Sequence, residues 1–212
     1  MCGGRVAEGG RRRQFATHGN RLVARRNLRL FDGRTAVLTD AYSNRIAEIL
    51  RTLQIPADYA PSRGLAIQPE ATELVAARVL RDGRELKLTP LAAAAWQSLV
   101  EVAAADGVTL LLISGFRSVD YQRQILERKL TQGQTLEEIL RVNAAPGYSE
   151  HHTGEAVDIG TPGCPPLLEA FEHTEAFRWL FRRAADFGFR LSYPRDNAAG
   201  IIYEPWHWRH QA

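Results

Sequence analysis

One carboxylate constrains this chain more than any other residue, because it sits inside an apolar strand. Ala156-Val157-Asp158-Ile159 has the pattern of a β-strand. Side chains alternate along a strand, so Val157 and Ile159 enter the core while Asp158 points to the opposite face. A carboxylate is rarely buried without a partner. Any fold enclosing this segment must therefore supply one, and a metal ion is such a partner. Gly154 lets the backbone turn, so that a histidine from the preceding Ser149-Glu150-His151-His152 loop can reach the same point.

A second segment carries the same residue types. Gly200–Arg209 reads as a strand that places Trp206 and Trp208 on one face and His207 and Arg209 on the other. Glu204 is three residues from His207 and would point away from it on an undisturbed strand. Pro205 cannot join a regular ladder, which predicts a bulge that turns both side chains into one cavity. Two histidines and one aspartate form a three-ligand zinc site with a fourth position open to water. The pKa of such a water falls to about 7. A carboxylate outside the ligand set must then carry protons, and Glu204 is the candidate. Taken singly, a His-x6-Asp spacing or a lone glutamate is usually structural; the combination carries the argument. His18, His152, His173 and His210 read as structural or solvated, and Cys2 and Cys164 as incidental thiols outside any C-x-x-C spacing.

Local signals fill in the rest. Asp40 is expected to cap a helix through Ile46, Ile49, Leu50 and Leu53. The proline-rich stretch Ile55–Pro69 reads as an irregular connector, and Asp82-Gly83 as the turn of a hairpin between Leu74–Leu80 and Arg84–Leu88. Thr89-Pro90 opens a helix that Gly107 ends. Val108–Ile113 is a buried strand, Ser118 caps the next helix, and Thr135 with Glu138 forms a capping box. Thr174 caps a helix with Phe177, Leu180, Phe181 and Ala184 on one face, and Phe189–Tyr193 is a strand. Helices and antiparallel strands mix without βαβ alternation, which predicts an α+β fold.

The formal charge of +3 suggests nucleic-acid binding, but its distribution argues against it. Residues 1–30 hold eight arginines and one acid, leaving 19 basic and 23 acidic residues in 31–212. With no nucleic-acid-binding motif, that reading is set aside. Residues 1–26 read as a basic, poorly ordered tail, 27–86 as an N-terminal helix and hairpin subdomain, and 87–212 as the catalytic domain. No stretch approaches the roughly 18 apolar residues of a membrane span. The tail lacks the apolar core of a secretion signal. The expectation is therefore a cytoplasmic protein as written, or one on the periplasmic or cell-wall side if the true start lies elsewhere.

Ser149-Glu150-His151-His152-Thr153-Gly154-Glu155-Ala156-Val157-Asp158-Ile159, followed by Glu204-Pro205-Trp206-His207-Trp208-Arg209, resembles the VanY-type D-alanyl-D-alanine carboxypeptidases. These belong to a zinc peptidase group that includes lysostaphin-type enzymes and the hedgehog domain. Ser114-Gly115-Phe116-Arg117-Ser118 extends the likeness over residues 87–210, with Phe116 where Tyr is commoner. The resemblance implies a small antiparallel sheet flanked by helices, with one Zn2+ in a cleft on the sheet. It implies His151, Asp158 and His207 as ligands, His151 being preferred to His152 by its spacing from Asp158, and Glu204 as the base. It implies that Arg117, with Gln122 and Ser149, contacts the substrate's terminal residue or the developing oxyanion, and Trp206 joins this substrate-contacting set. The implied reaction is removal of C-terminal D-Ala from peptidoglycan stem peptides. The alternatives are cytoplasmic L,D-carboxypeptidase action on recycled tetrapeptide muropeptides, and a zinc-bearing peptide-binding module without turnover. Pro205 favours a carboxypeptidase over the group's dipeptidases, which tend to carry Trp there.

Overall fold

The computed structural model describes residues 39–211. Their order is α1 (Asp40–Thr52), α2 (Tyr59–Ser62), β1 (Val75–Val79), β2 (Glu85–Leu88), α3 (Pro90–Ala105), β3 (Leu111–Ser114), α4 (Val119–Thr131), α5 (Leu136–Val142), β4 (Ala156–Gly160), α6 (Glu175–Arg183), β5 (Phe189–Leu191) and β6 (His207–His210). β1 and β2 form a hairpin, and the other four strands form an antiparallel sheet in the order β3-β4-β6-β5. The α+β expectation holds.

Two apolar clusters fix this arrangement. Leu112, Val157, Ile159 and Trp208 from the sheet pack with Trp96 and Leu99 of α3 and Trp179 and Leu180 of α6. Ile46 and Ile49 of α1 pack with Val119 and Leu126 of α4 and Ile139 and Leu140 of α5. The described part of residues 27–86 therefore shares its cores with the rest of the chain; α1 belongs to the second cluster, and Leu88 of the hairpin to the first.

The helix starts at Thr89, Ser118, Thr135 and Thr174 are as read, each hydroxyl accepting from a backbone N–H of the first turn. Five details differ. The stretch Ile55–Pro69, read as an irregular connector, contains the short helix α2. Thr39, not Asp40, caps α1, accepting from the Tyr42 N–H at 3.1 Å, and Asp40 becomes the first helical residue, where its charge suits the helix dipole. Strand pairing starts at Leu111 rather than Val108, because the Val108 N–H closes the end of α3 on the Ala103 carbonyl. Phe181 is 71% exposed. Trp179 turns inward instead, its indole N–H donating to Asp106 at 2.8 Å, which rotates the buried stripe of α6. The strand expected over 200–209 is confined to His207–His210. Pro205 lies in a turn closed by the His207 N–H on the Glu204 carbonyl at 3.1 Å, so the turn, not a bulge, re-aims Glu204.

Gly115 joins the hairpin to the sheet. A Cβ there would lie 2.6 Å from the Lys87 carbonyl oxygen, which accepts the Phe116 N–H at 2.7 Å. Gly115→Ala is expected to destabilise the fold by about 1–3 kcal/mol through overpacking. Denaturant unfolding checks this; an unchanged midpoint would show that the β2–β3 junction yields freely.

Candidate metal centre and active site

The sheet register sets the site. Asp158 on β4 pairs with Ser114 on β3 and with His207 on β6, so the three side chains share one face. Val157 pairs with Trp208 on the core side. His151 arrives from the helical turn Glu150–Thr153, which Gly154 ends in the left-handed region at φ 67°. Ligand atoms of His151, Asp158 and His207 all lie within 4.8 Å of one another, and all three residues are buried.

Hydrogen bonds orient both rings. The His151 Nδ1–H donates to the Gly115 carbonyl at 2.7 Å, leaving Nε2 directed at Asp158, 3.3 Å away. His207 has a carboxylate at each ring nitrogen: Asp158 lies 3.0 Å from Nδ1 and Glu150 3.0 Å from Nε2. Arg209, itself held by Glu155 at 3.0 Å, reaches the other Glu150 oxygen at 3.4 Å. Glu150 is a candidate positioning residue to which the sequence assigned no role, and its one sequence signal is a carboxylate directly beside the candidate ligand His151.

The electrostatics call for a cation. Burial works against charge at His207, but its hydrogen bonds to Asp158 and Glu150 outweigh this and raise its pKa to about 10. Burial raises the Asp158 pKa, yet the adjoining His151 and His207 hold it well below the ordinary carboxylate range. Burial lowers the pKa of His151. Two nitrogens and a carboxylate oxygen converging at a point that favours positive charge suit a divalent ion of the zinc type.

Glu204 stands beside this cluster, its Oε2 3.9 Å from His207 Nδ1. Burial pushes its pKa up to about 7, with the Asp158 and Glu150 charges adding and His207 and Arg117 opposing. Its backbone N–H donates to the Tyr193 carbonyl at 3.1 Å, which fixes the turn that presents it. Glu204, Arg117, Ser149 and Trp206 line a cavity of about 280 Å³ together with the three candidate ligands. Trp206 also belongs to the main apolar cluster, so it forms a wall of the cavity backed by core.

Gln122 and His152 lie behind the cavity. Gln122 is fully buried and lies outside the cavity lining. Its side chain accepts from Arg117 Nη1 at 2.9 Å and donates to the Ala144 carbonyl at 2.7 Å, an arrangement that positions Arg117. His152 bridges two loops: its Nδ1–H donates to the Arg117 carbonyl, and Nε2 accepts the Gly147 N–H at 3.0 Å. Both its nitrogens are occupied, consistent with a structural His152.

Residues 85–212 match the family model "VanY: D-alanyl-D-alanine carboxypeptidase". A D-alanyl-D-alanine carboxypeptidase of Enterococcus faecalis is 36% identical over 124 residues, 54% of this chain and 44% of the relative. The chain spans about half the length of the curated relatives it matches. The structure of the LD-carboxypeptidase LdcB superimposes with a TM-score of 0.59 at 32% identity, covering 66% of this chain and 69% of that one. A mutant of the vancomycin resistance D,D-pentapeptidase VanY, in complex with Zn(II), gives a TM-score of 0.53 at 29% identity, covering 70% and 87%.

Glu150→Gln keeps the shape but removes the charge behind His207. Outer partners of this kind are worth about 10–100-fold in metal affinity. Chelator competition is expected to show a loss of that size with unfolding behaviour retained.

Proposed function

We infer that this chain, which belongs to the VanY family of D-alanyl-D-alanine carboxypeptidases, is a zinc peptidase that removes a C-terminal D-alanine from peptidoglycan stem peptides. The observation that carries the reading is the buried His151–Asp158–His207 cluster with an uncoordinated glutamate, Glu204, at its edge. A Zn(II)-bound relative of the same fold supports zinc as the ion. His151 Nε2, the Asp158 carboxylate and His207 Nδ1 would hold it. When bound, zinc supplies Lewis-acid polarisation of the scissile carbonyl and makes a water acidic enough to lose its proton near neutral pH.

The chain's own residues do the rest. Glu204 takes the proton of the attacking water and returns it to the leaving amine. Burial raises the pKa of this carboxylate in the metal-free chain, and a carboxylate outside the ligand set can both accept and return a proton. Arg117 holds its guanidinium 4.0 Å from Asp158, and positive charge at the edge of the ligand cluster would stabilise the tetrahedral oxyanion. Trp206 and Ser149 shape the cavity around the terminal residues. Its volume is close to the lower end of ligand pockets, roughly 300–1,000 Å³, so it takes the scissile end of the peptide rather than a whole stem.

A second reading, L,D-carboxypeptidase action on tetrapeptides, is supported by the likeness to LdcB. The two differ in the configuration of the residue before the released D-Ala. Zinc-loaded protein incubated with pentapeptide and tetrapeptide muropeptides separates them by mass spectrometry. Loss of one alanine from the pentapeptide alone marks D,D activity, and loss from the tetrapeptide marks L,D activity. Release from neither, with zinc bound, would leave a peptide-binding module. Glu204→Gln is expected to lower kcat by at least about 100-fold with zinc stoichiometry unchanged; full activity in this variant refutes the assigned base.

A further inference from the structure

The cavity holds a second cation besides Arg117. Lys129, on the last turn of α4, lines it together with Ser149 and Asn143. The two cations are held differently. Arg117 has both terminal nitrogens engaged: Nη1 donates to Gln122 and Nη2 to the Ser114 hydroxyl at 3.4 Å, with Asp158 at 4.0 Å. Ser114 is the register partner of Asp158, so the guanidinium is fixed against the metal cluster. Among the described residues, the Lys129 ammonium has no ion-pair or hydrogen-bond partner.

We propose that Lys129 reads the free carboxylate at the end of the substrate, leaving Arg117 to serve the attacked carbonyl. This rests on the peptidase reading above and divides between two residues what the sequence left undivided. A carboxypeptidase must satisfy two anionic centres at once: the full charge of the terminal carboxylate and the charge that develops on the scissile carbonyl. These are one residue apart, about 3.3–3.6 Å along an extended chain. A guanidinium pinned beside the metal ligands suits only the second. An ammonium on a flexible stem is a point charge that can meet the first. Partial burial and the nearby Arg117 and Arg128 charges lower the Lys129 pKa, in that order, which agrees with two cations sharing one concave site. A carboxylate entering there relieves both costs, and the polar residues Ser149 and Asn143 line the same cavity.

The test uses the zinc-loaded Glu204→Gln chain, so that ligand is not consumed. Calorimetry compares an acyl-D-Ala-D-Ala free acid with its carboxamide. The free acid is expected to bind more tightly. Lys129→Met should weaken the free acid by about 10–100-fold, the size of one lost charge-assisted hydrogen bond, and abolish the preference over the carboxamide; Lys129→Arg should restore most of it. Unchanged zinc content and unfolding midpoint exclude misfolding as the cause. If Lys129→Met keeps the full acid-over-amide preference, the proposal is overturned. The binding readout is independent of turnover. Lys129-dependent carboxylate binding in a chain that releases no D-Ala would sink the enzyme reading and uphold this one, while release of D-Ala with no effect at Lys129 would do the reverse.

Discussion

The structure turns on one cross-strand pair, Asp158 opposite His207 in the middle of an antiparallel sheet. An isolated buried carboxylate is costly, and removing one partner from a buried pair costs about 3–5 kcal/mol. A one-residue slip of β4 against β6 would send Asp158 into the apolar cluster and Val157 into the cavity. The aromatic and branched side chains behind the sheet, Trp208, Val157 and Ile159, therefore protect the register as much as they stabilise the fold. The polar face and the apolar face specify the same pairing.

Around this pair the chain spends backbone and side-chain groups on aiming rather than on coordination. The Gly115 carbonyl turns His151, and the Glu150 carboxylate turns His207. Gln122 steadies Arg117, and His152 ties the Arg117 loop to the loop at Gly147. Gly115 can serve because it has no Cβ where the Lys87 carbonyl passes. The hairpin, otherwise remote from the chemistry, thus bears on the position of a candidate ligand.

The sequence made some of this legible and not the rest. Helix starts at Thr89, Ser118, Thr135 and Thr174 are local hydroxyl-to-backbone bonds, so a few adjacent residues suffice to read them. The ligand candidates were legible because imidazole and carboxylate groups in strand-forming segments have few other uses. The route by which Glu204 reaches the cavity was not, because a Pro205 turn and a Pro205 bulge differ only in bonds to distant residues such as Tyr193. The burial of Gln122 depends on the Ala144 carbonyl, and the place of Lys129 on how α4 lies against the cavity. No spacing in the chain encodes either. Phe181 misled for a related reason: Trp179 found an acceptor in Asp106, more than seventy residues earlier, and took the inward position.

The sheet register brings His151, Asp158 and His207 together as a candidate metal site. Crystallography of the zinc-loaded chain with anomalous data across the zinc edge tests it most directly. One anomalous peak per chain is expected, bonded to His151 Nε2, an Asp158 oxygen and His207 Nδ1, with Glu204 nearby but unbound. A peak bonded to His152, to His207 Nε2 in place of Nδ1, or to Glu204 as a third ligand would contradict it.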